Sequence, residues 1–105
     1  MRNDSNPSQN QAFKIKVTAP WRLAEVTPLE NFQLKVTFLD GLHGIVDLSS
    51  KIFSQNPGVF QKLQDPQFFN QVFLELGAVT WPGELDLAPD AMYEEIKKHG
   101  VWVLK

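Results

Sequence analysis

The sequence contains no cysteine, and this absence removes several kinds of chemistry at once. A chain without cysteine forms no disulfide, offers no thiolate nucleophile and cannot bind zinc through sulfur. We therefore expect a cytoplasmic protein. The sequence also lacks an apolar run approaching the roughly 20 residues that a membrane helix needs, and its N-terminal residues contain no apolar core of a signal peptide. We expect a soluble protein with no membrane partner.

An excess of charge of one sign is missing as well. Ten basic residues oppose twelve acidic ones, and the net charge is -2. Because both signs are scattered along the chain, the positive field that attracts a nucleic-acid backbone is absent. The densest basic group, formed by Lys14, Lys16 and Arg22, is typical of a solvated strand face. The composition therefore predicts no direct binding to nucleic acid.

The sequence motifs of the common enzyme classes are absent too, including the glycine-rich phosphate loop and the serine elbow. The two histidines, His43 and His99, have no spacing that links them as metal ligands. Glu84, Asp86 and Asp90 form a local group of carboxylates, but their spacing differs from that of a calcium-binding EF-hand loop. We therefore expect a non-enzymatic protein without a metal or another cofactor.

What the sequence does contain is enough apolar material for one folded domain. The chain has 105 residues, 43% of them hydrophobic, with eight Phe and three Trp. Chains of this length and composition usually fold around a single core. Residues 1–12 are polar and rich in turn formers, so we expect a disordered tail there and a single domain over residues 13–105.

The first half of this domain has the alternating pattern of half-buried strands. Residues 13–18 alternate apolar with polar and predict one strand, and residues 22–27 predict a second. The clearest alternation, over residues 32–38, predicts a third strand that leads into Asp40 and Gly41, a dipeptide that favours a tight hairpin. Residues 43–48 then return as the partner strand. Apolar residues lie on both sides of this returning strand, so the pattern does not decide which face is buried. It also does not decide whether the hairpin loop has two residues or four.

The second half has the start and stop signals of helices. Ser49 and Ser50 predict the cap of a short helical turn, and Pro57 and Asp65 predict two further starts, with Val59, Phe60 and Leu63 buried in the turn between them. Strands are predicted over residues 71–76 and 78–81. Pro89 opens the best-defined helix, which ends before Gly100. Strands followed by helices predict an α+β fold, with a small, mostly antiparallel sheet and the C-terminal helix packed on one face.

Three runs of sequence carry a resemblance to a known family. They are residues 38–48, residues 60–66 with Phe68 and Phe69, and residues 81–93 preceded by Gly77. In this order and spacing the chain resembles a small bacterial family catalogued only as domain of unknown function family 2442. The tryptophan-proline segment that ends in Asp-Leu-Ala-Pro-Asp is the most specific part. The resemblance implies a short α+β domain.

The resemblance also bears on partners. Members of this family are sometimes fused to a helix-turn-helix DNA-binding domain, and their genes often neighbour that of another small protein in pairs that resemble toxin and antitoxin modules. This sequence contains no helix-turn-helix, which removes the support for direct DNA binding. The resemblance therefore implies a protein partner encoded nearby.

Seven residues are candidates for contact with a ligand or a partner: Asp40, Asp47, Trp81, Asp86, Tyr93, Trp102 and Val103. Asp40 has an ordinary role in the hairpin turn, and Asp47 is placed to cap a turn or bind backbone amides. Trp81 could stack on a ligand, but we favour a plug that closes the core over a turn. The phenol of Tyr93 needs a partner if buried, and Asp86 or a backbone carbonyl would serve. An enzyme would require Asp47, Asp86 and Tyr93 to converge on one cleft.

Residues 101–104 are four consecutive apolar residues after a helix stop, and they need burial. We favour an added strand on the same domain over docking on another chain. Together with the resemblance, these features predict a protein-protein interaction module, the antitoxin-like or regulatory member of a two-gene pair, for which a homodimer is also reasonable. The alternative is a small-molecule-binding domain with its site between the Asp40 hairpin and the junction of residues 81–90.

Overall fold

The computed structural model describes residues 21–105, which form two small sheets and several short helices around one core. The α+β fold expected from the sequence is confirmed. The predicted tail of residues 1–12 and the predicted strand of residues 13–18 lie outside the described residues. No helix among residues 21–105 is long and apolar enough to cross a membrane.

The described part of the chain contains seven strands and three α-helices. The strands are β1 (Leu23–Leu29), β2 (Gln33–Phe38), β3 (His43–Asp47), β4 (Phe73–Glu75), β5 (Ala78–Trp81), β6 (Leu85–Asp86) and β7 (Val101–Val103). The helices are α1 (Ser49–Ile52), α2 (Pro66–Phe69) and α3 (Pro89–His99), and short 3-10 turns occupy Glu30–Phe32 and Gly58–Gln64.

The larger sheet has the order β1-β2-β3-β7. Strands β1, β2 and β3 are antiparallel neighbours, and the alternation in β2 is confirmed, because Leu34, Val36 and Phe38 are almost completely buried. Phe32, expected in this strand, instead lies in the preceding turn at a positive φ of 60°. The Phe32 ring packs edge-on against the rings of Phe53 and Phe69. These contacts hold Phe32 in a left-handed backbone conformation that residues other than glycine rarely adopt.

The hairpin expected at Asp40 and Gly41 is confirmed. Four residues separate β2 from β3, and the Gly41 N–H donates to the carbonyl of Phe38 at 3.0 Å. Gly41 has φ = 94°, a left-handed conformation that glycine adopts without the steric cost of a side chain. The loop therefore has the longer of the two lengths that the sequence left open.

Strand β7 joins the sheet in parallel with β3, in the register Ile45–Val101, Val46–Trp102 and Asp47–Val103. The apolar residues after α3 therefore dock on their own domain, as favoured from the sequence. The long connection through the short helices, the second sheet and α3 makes a parallel pair possible here, since parallel neighbours need a crossover.

The smaller sheet has the order β4-β5-β6 and shares the core of the larger one. Strand β5 has the predicted bounds. The strand predicted over residues 71–76 shortens to β4, because residues 70–72 close the turn that follows α2. Strand β6 was not predicted, since it contains only two residues inside a segment rich in turn formers.

The short helices differ from the expectation at two points. No side-chain hydrogen bond caps α1, so Ser49 and Ser50 are not its caps. Val59, expected to be buried, is 64% exposed, because the 3-10 turn that contains it buries Leu63 instead. At α2 the prediction is confirmed, since the Asp65 carboxylate accepts a hydrogen bond from the Gln67 N–H at 3.0 Å.

Helix α3 has the predicted bounds and buries Met92 and Ile96. It ends at Gly100, whose φ of 77° is left-handed and whose N–H donates to the Ile96 carbonyl. The end of α3 lies directly on Gly44 of β3. A Cβ at that position would be 2.6 Å from both the Gly100 carbonyl oxygen and the Ile96 Cγ2, so glycine is required for this close approach.

Candidate functional site: the outer face and free edge of the larger sheet

The candidate residues do not meet in one place. The structure joins Asp40 to Tyr93, pairs Asp47 with Val103 across neighbouring strands and packs Trp102 against the core. These contacts leave two regions to consider separately, namely the hairpin with α3 and the sheet with its edge.

Asp40 and Tyr93 form the bond that ties the hairpin to α3. The Tyr93 hydroxyl donates to the Asp40 carboxylate at 2.5 Å. The ring of Phe38 meets the Tyr93 ring edge-on, with centroids 5.1 Å apart. The partner of Tyr93 is therefore Asp40 and not Asp86, because α3 lies against the β2–β3 hairpin rather than over its own preceding segment.

This hydrogen bond lowers the pKa of one partner and raises the pKa of the other. The hydrogen bond donated by Tyr93 lowers the pKa of Asp40. A second hydrogen bond, from the Leu42 N–H to the same carboxylate, lowers it further. The bond raises the pKa of Tyr93, because losing the proton would place two negative charges side by side. The pair is already satisfied, so its arrangement is that of a structural tie.

Asp47 acts on the backbone after β3. One carboxylate oxygen accepts from the Ser49 N–H at 3.0 Å and the Ser49 hydroxyl at 2.7 Å, and the other accepts from the Gln33 amide at 3.3 Å. Partial burial raises the pKa of Asp47, but the hydrogen bonds from Ser49 and Gln33 outweigh it and hold the pKa below its ordinary value. Asp47 therefore stabilises the turn into α1.

Trp81 is completely buried. Its indole N–H donates to the carbonyl of Phe69 at 2.8 Å, and the two rings lie 5.8 Å apart. The side chain therefore plugs the core beneath α2, and it presents no surface to a ligand or a partner.

Three of the surface concavities formed by residues 21–105 have volumes of about 550, 430 and 320 Å³. The first lies between the β1–β2 turn and α2, with Phe32 and Phe69 in its wall. The other two lie on the smaller sheet and share Glu84 and Asp86. None of these three includes a residue of the Asp40 hairpin. No group of three or more acidic or histidine side chains within residues 21–105 is placed to hold a metal ion.

The outer face of the larger sheet is the most extended feature that the described residues leave open. The registers place two rows of side chains on it. One row consists of Thr27, Lys35, Ile45 and Val101, and the other consists of Leu29, Gln33, Asp47 and Val103. None of these residues is buried, whereas the inner face of the same strands is covered by α3, the short helices and the smaller sheet.

Apolar side chains are part of this outer face. Leu29 and Val101 are each 36% exposed and Val103 is 40% exposed. Ile45 lies between Lys35 and Val101 in its row. In the sequence, apolar residues on both sides of β3 left its buried face ambiguous. The structure shows that Val46 faces the core and Ile45 faces outward, so this ambiguity was the sequence signal of an apolar outer face.

The two edges of the sheet differ in their backbone chemistry. In β1, Val26 and Pro28 direct their backbone groups away from β2, because their partners Val36 and Leu34 bond to β3. Pro28 has no N–H, and a bulge interrupts the ladder between Leu23 and Glu25. Both features protect an edge strand from further pairing.

Strand β7 has neither form of protection. The Gly100 carbonyl accepts from the Ile45 N–H and the Leu104 N–H donates to the Asp47 carbonyl. Because residues of a parallel ladder alternate in direction, Val101 and Val103 turn their N–H and carbonyl groups away from β3. No described residue pairs with this edge.

The fold and these surfaces define a small α+β domain. The family model described as a protein of unknown function, DUF2442, matches residues 23–98. The chain therefore belongs to domain of unknown function family 2442. No curated protein and no solved structure matches the chain.

Proposed function

We propose that the protein is a cytoplasmic protein-protein interaction module, the antitoxin-like or regulatory member of a two-gene pair, and that the product of the neighbouring gene docks on the outer face of the larger sheet. The observation that carries this proposal is that four apolar residues, Leu29, Ile45, Val101 and Val103, lie on that face and none of them is buried. The pairing with a neighbouring gene rests on what the family resemblance implies.

The chemistry of the outer face supports a protein as the occupant. Ile45, Val101 and Val103 form an apolar area on the β3–β7 side of this face, where Lys35 lies beside Ile45 and Asp47 beside Val103. Apolar side chains bordered by polar residues of both charges are typical of protein interfaces. A small molecule would instead need a concavity that encloses most of its surface, and an open sheet face offers none.

Co-expression of the tagged protein with the neighbouring gene product tests the proposal. We expect the two proteins to be purified together, and we expect Lys35→Glu to weaken the complex by tenfold or more, because Lys35 is exposed in the middle of the face. Lys62→Glu is the matched control, since it makes the same charge change on an exposed residue of the 3-10 turn. Recovery of the tagged protein without the neighbouring product would remove the proposal.

A small-molecule-binding domain is the second candidate. Its proposed site, between the Asp40 hairpin and the junction of residues 81–90, gains no support from the geometry, because Trp81 faces the core and Asp40 is engaged by Tyr93. The interaction module has priority for this reason. The proposal assigns no reaction to the chain.

A further inference from the structure

We propose that the free edge of β7 pairs with β7 of a second copy of this chain, which joins the two larger sheets into one continuous sheet. This inference goes beyond the partner proposed above, because it concerns the edge of the sheet and not its face. A strand edge with unpaired backbone groups is a template for another strand, and β7 is the edge that lacks a proline or a bulge.

The backbone groups of β7 are complementary to themselves. In an antiparallel pair centred on Trp102, Val101 lies opposite Val103 of the second copy, and Val103 lies opposite Val101. Residues that face each other in this way exchange both N–H to carbonyl hydrogen bonds. Every backbone group that Val101 and Val103 turn away from β3 therefore gains a partner, which is the condition for burying such groups.

The side chains fit the same arrangement. Val101 and Val103 lie on the outer face, so each valine meets a valine of the second copy there. Trp102 lies on the inner face, where the two tryptophans come together on the two-fold axis. Cross-strand pairs of aromatic and β-branched residues are among the more stabilising ones in sheets.

The charges of α3 favour a second copy over an unrelated strand. Helix α3 has Asp90 in its first turn and Glu94 and Glu95 at its middle, and its last turn is basic, with Lys97, Lys98 and His99. Helix α3 packs on β7 on the inner face of the sheet. The two-fold axis sets α3 and its copy side by side in opposite directions, so the acidic residues of each helix lie toward the basic last turn of the other. A three-residue ladder alone is too small for a stable interface, which makes this contribution necessary.

Light scattering of the purified full-length chain over a range of concentrations is the first measurement. We expect the mass to rise to twice the 12.0 kDa of one chain. Two double variants test the contact: one carries Val101→Lys with Val103→Lys, and the other carries Val101→Glu with Val103→Glu. Each sets like charges opposite each other across the proposed pair, so each variant alone is expected to be a monomer. An equimolar mixture of the two is expected to recover the dimer, because opposite charges then face each other. Val59→Lys is the control, since this exposed valine lies in the 3-10 turn of residues 58–64.

Amide hydrogen exchange locates the contact. In the dimer, the amides of Val101 and Val103 are expected to exchange at least tenfold more slowly than in the charged variants. A wild-type chain that stays a monomer overturns the proposal, and so does a dimer that both double variants preserve. A monomer with protected Val101 and Val103 amides would place another segment of the chain on the edge and also overturn it. All these measurements use the chain alone, so their outcome is independent of whether the neighbouring gene product binds.

Discussion

Tyr93 and Asp40 are 53 positions apart in the sequence, and the Tyr93 hydroxyl donates a 2.5 Å hydrogen bond to the Asp40 carboxylate. The bond connects the turn of the β2–β3 hairpin to the middle of α3. Helix α3 leads directly into β7, so this bond, together with the contact at Gly44, fixes the helix from which the free edge strand emerges.

This bond predicts an alkaline shift in the titration of Tyr93. The folded pKa is raised above the ordinary value of 10.0, so the stability that the bond contributes is fully present below pH 10 and is lost as the pH rises through the folded pKa. Because Tyr93 is the only tyrosine of the chain, its ultraviolet absorbance titration reports on it alone. We expect a midpoint above 10 that moves back toward 10 in Asp40→Asn. Identical midpoints in both proteins would show that the bond is not formed in solution.

Gly44→Ala is expected to destabilise the fold by about 1–3 kcal/mol, as overpacking does. The new methyl group would lie 2.6 Å from the Gly100 carbonyl oxygen, which is backbone and cannot turn aside. Urea unfolding measures the free energy difference. His43→Ala, at an exposed neighbouring position of β3, serves as the control and should stay within about 0.5 kcal/mol of the wild type. Equal stability of Gly44→Ala and wild type would contradict the close approach of α3 to β3.

Trp81→Phe is expected to cost about 2–4 kcal/mol of unfolding free energy. The substitution leaves a cavity in the core and removes the indole donor from the Phe69 carbonyl. Trp21→Phe makes the same chemical change at a residue that is 38% exposed, and it should have a small effect. Similar losses in the two variants would argue against the plug.

Asp47→Ala is expected to lower stability at pH 7 by about 1 kcal/mol, the typical net contribution of a side-chain hydrogen bond, because the variant loses the bonds from Ser49 and Gln33. The folded pKa of Asp47 lies below the ordinary value of 3.8, so its contribution is present above pH 3.8 and disappears as the pH falls through the folded pKa. The difference between variant and wild type should therefore shrink in acid. A difference that stays constant from pH 7 down to pH 2 would mean that the carboxylate charge plays no part.

Local patterns were enough to predict much of the fold. The alternation in β2, the Asp40–Gly41 turn and the start of α3 at Pro89 depend on neighbours in sequence, and all three are confirmed. The signals failed where short segments take their structure from distant contacts. Phe32 left its predicted strand because Phe53 and Phe69 hold its ring, and β6 forms only by pairing with β5.

The candidate site was less accessible from the sequence. The residues that create it are ordinary in composition, and their importance depends on register. Ile45 reaches the outer face only because β3 pairs with β2 and β7 as it does. The partner of Tyr93 was missed because no sequence pattern relates residue 93 to a turn on the other side of the core. A long-range hydrogen bond of this kind becomes visible only in three dimensions.

The most direct test of the interaction module is to mix the purified protein with the purified product of its neighbouring gene and to measure the mass by size-exclusion chromatography with light scattering. We expect a single peak that contains both proteins, and a loss of that peak in Lys35→Glu but not in Lys62→Glu. Two separate peaks, each at the mass that its protein has alone, would contradict it.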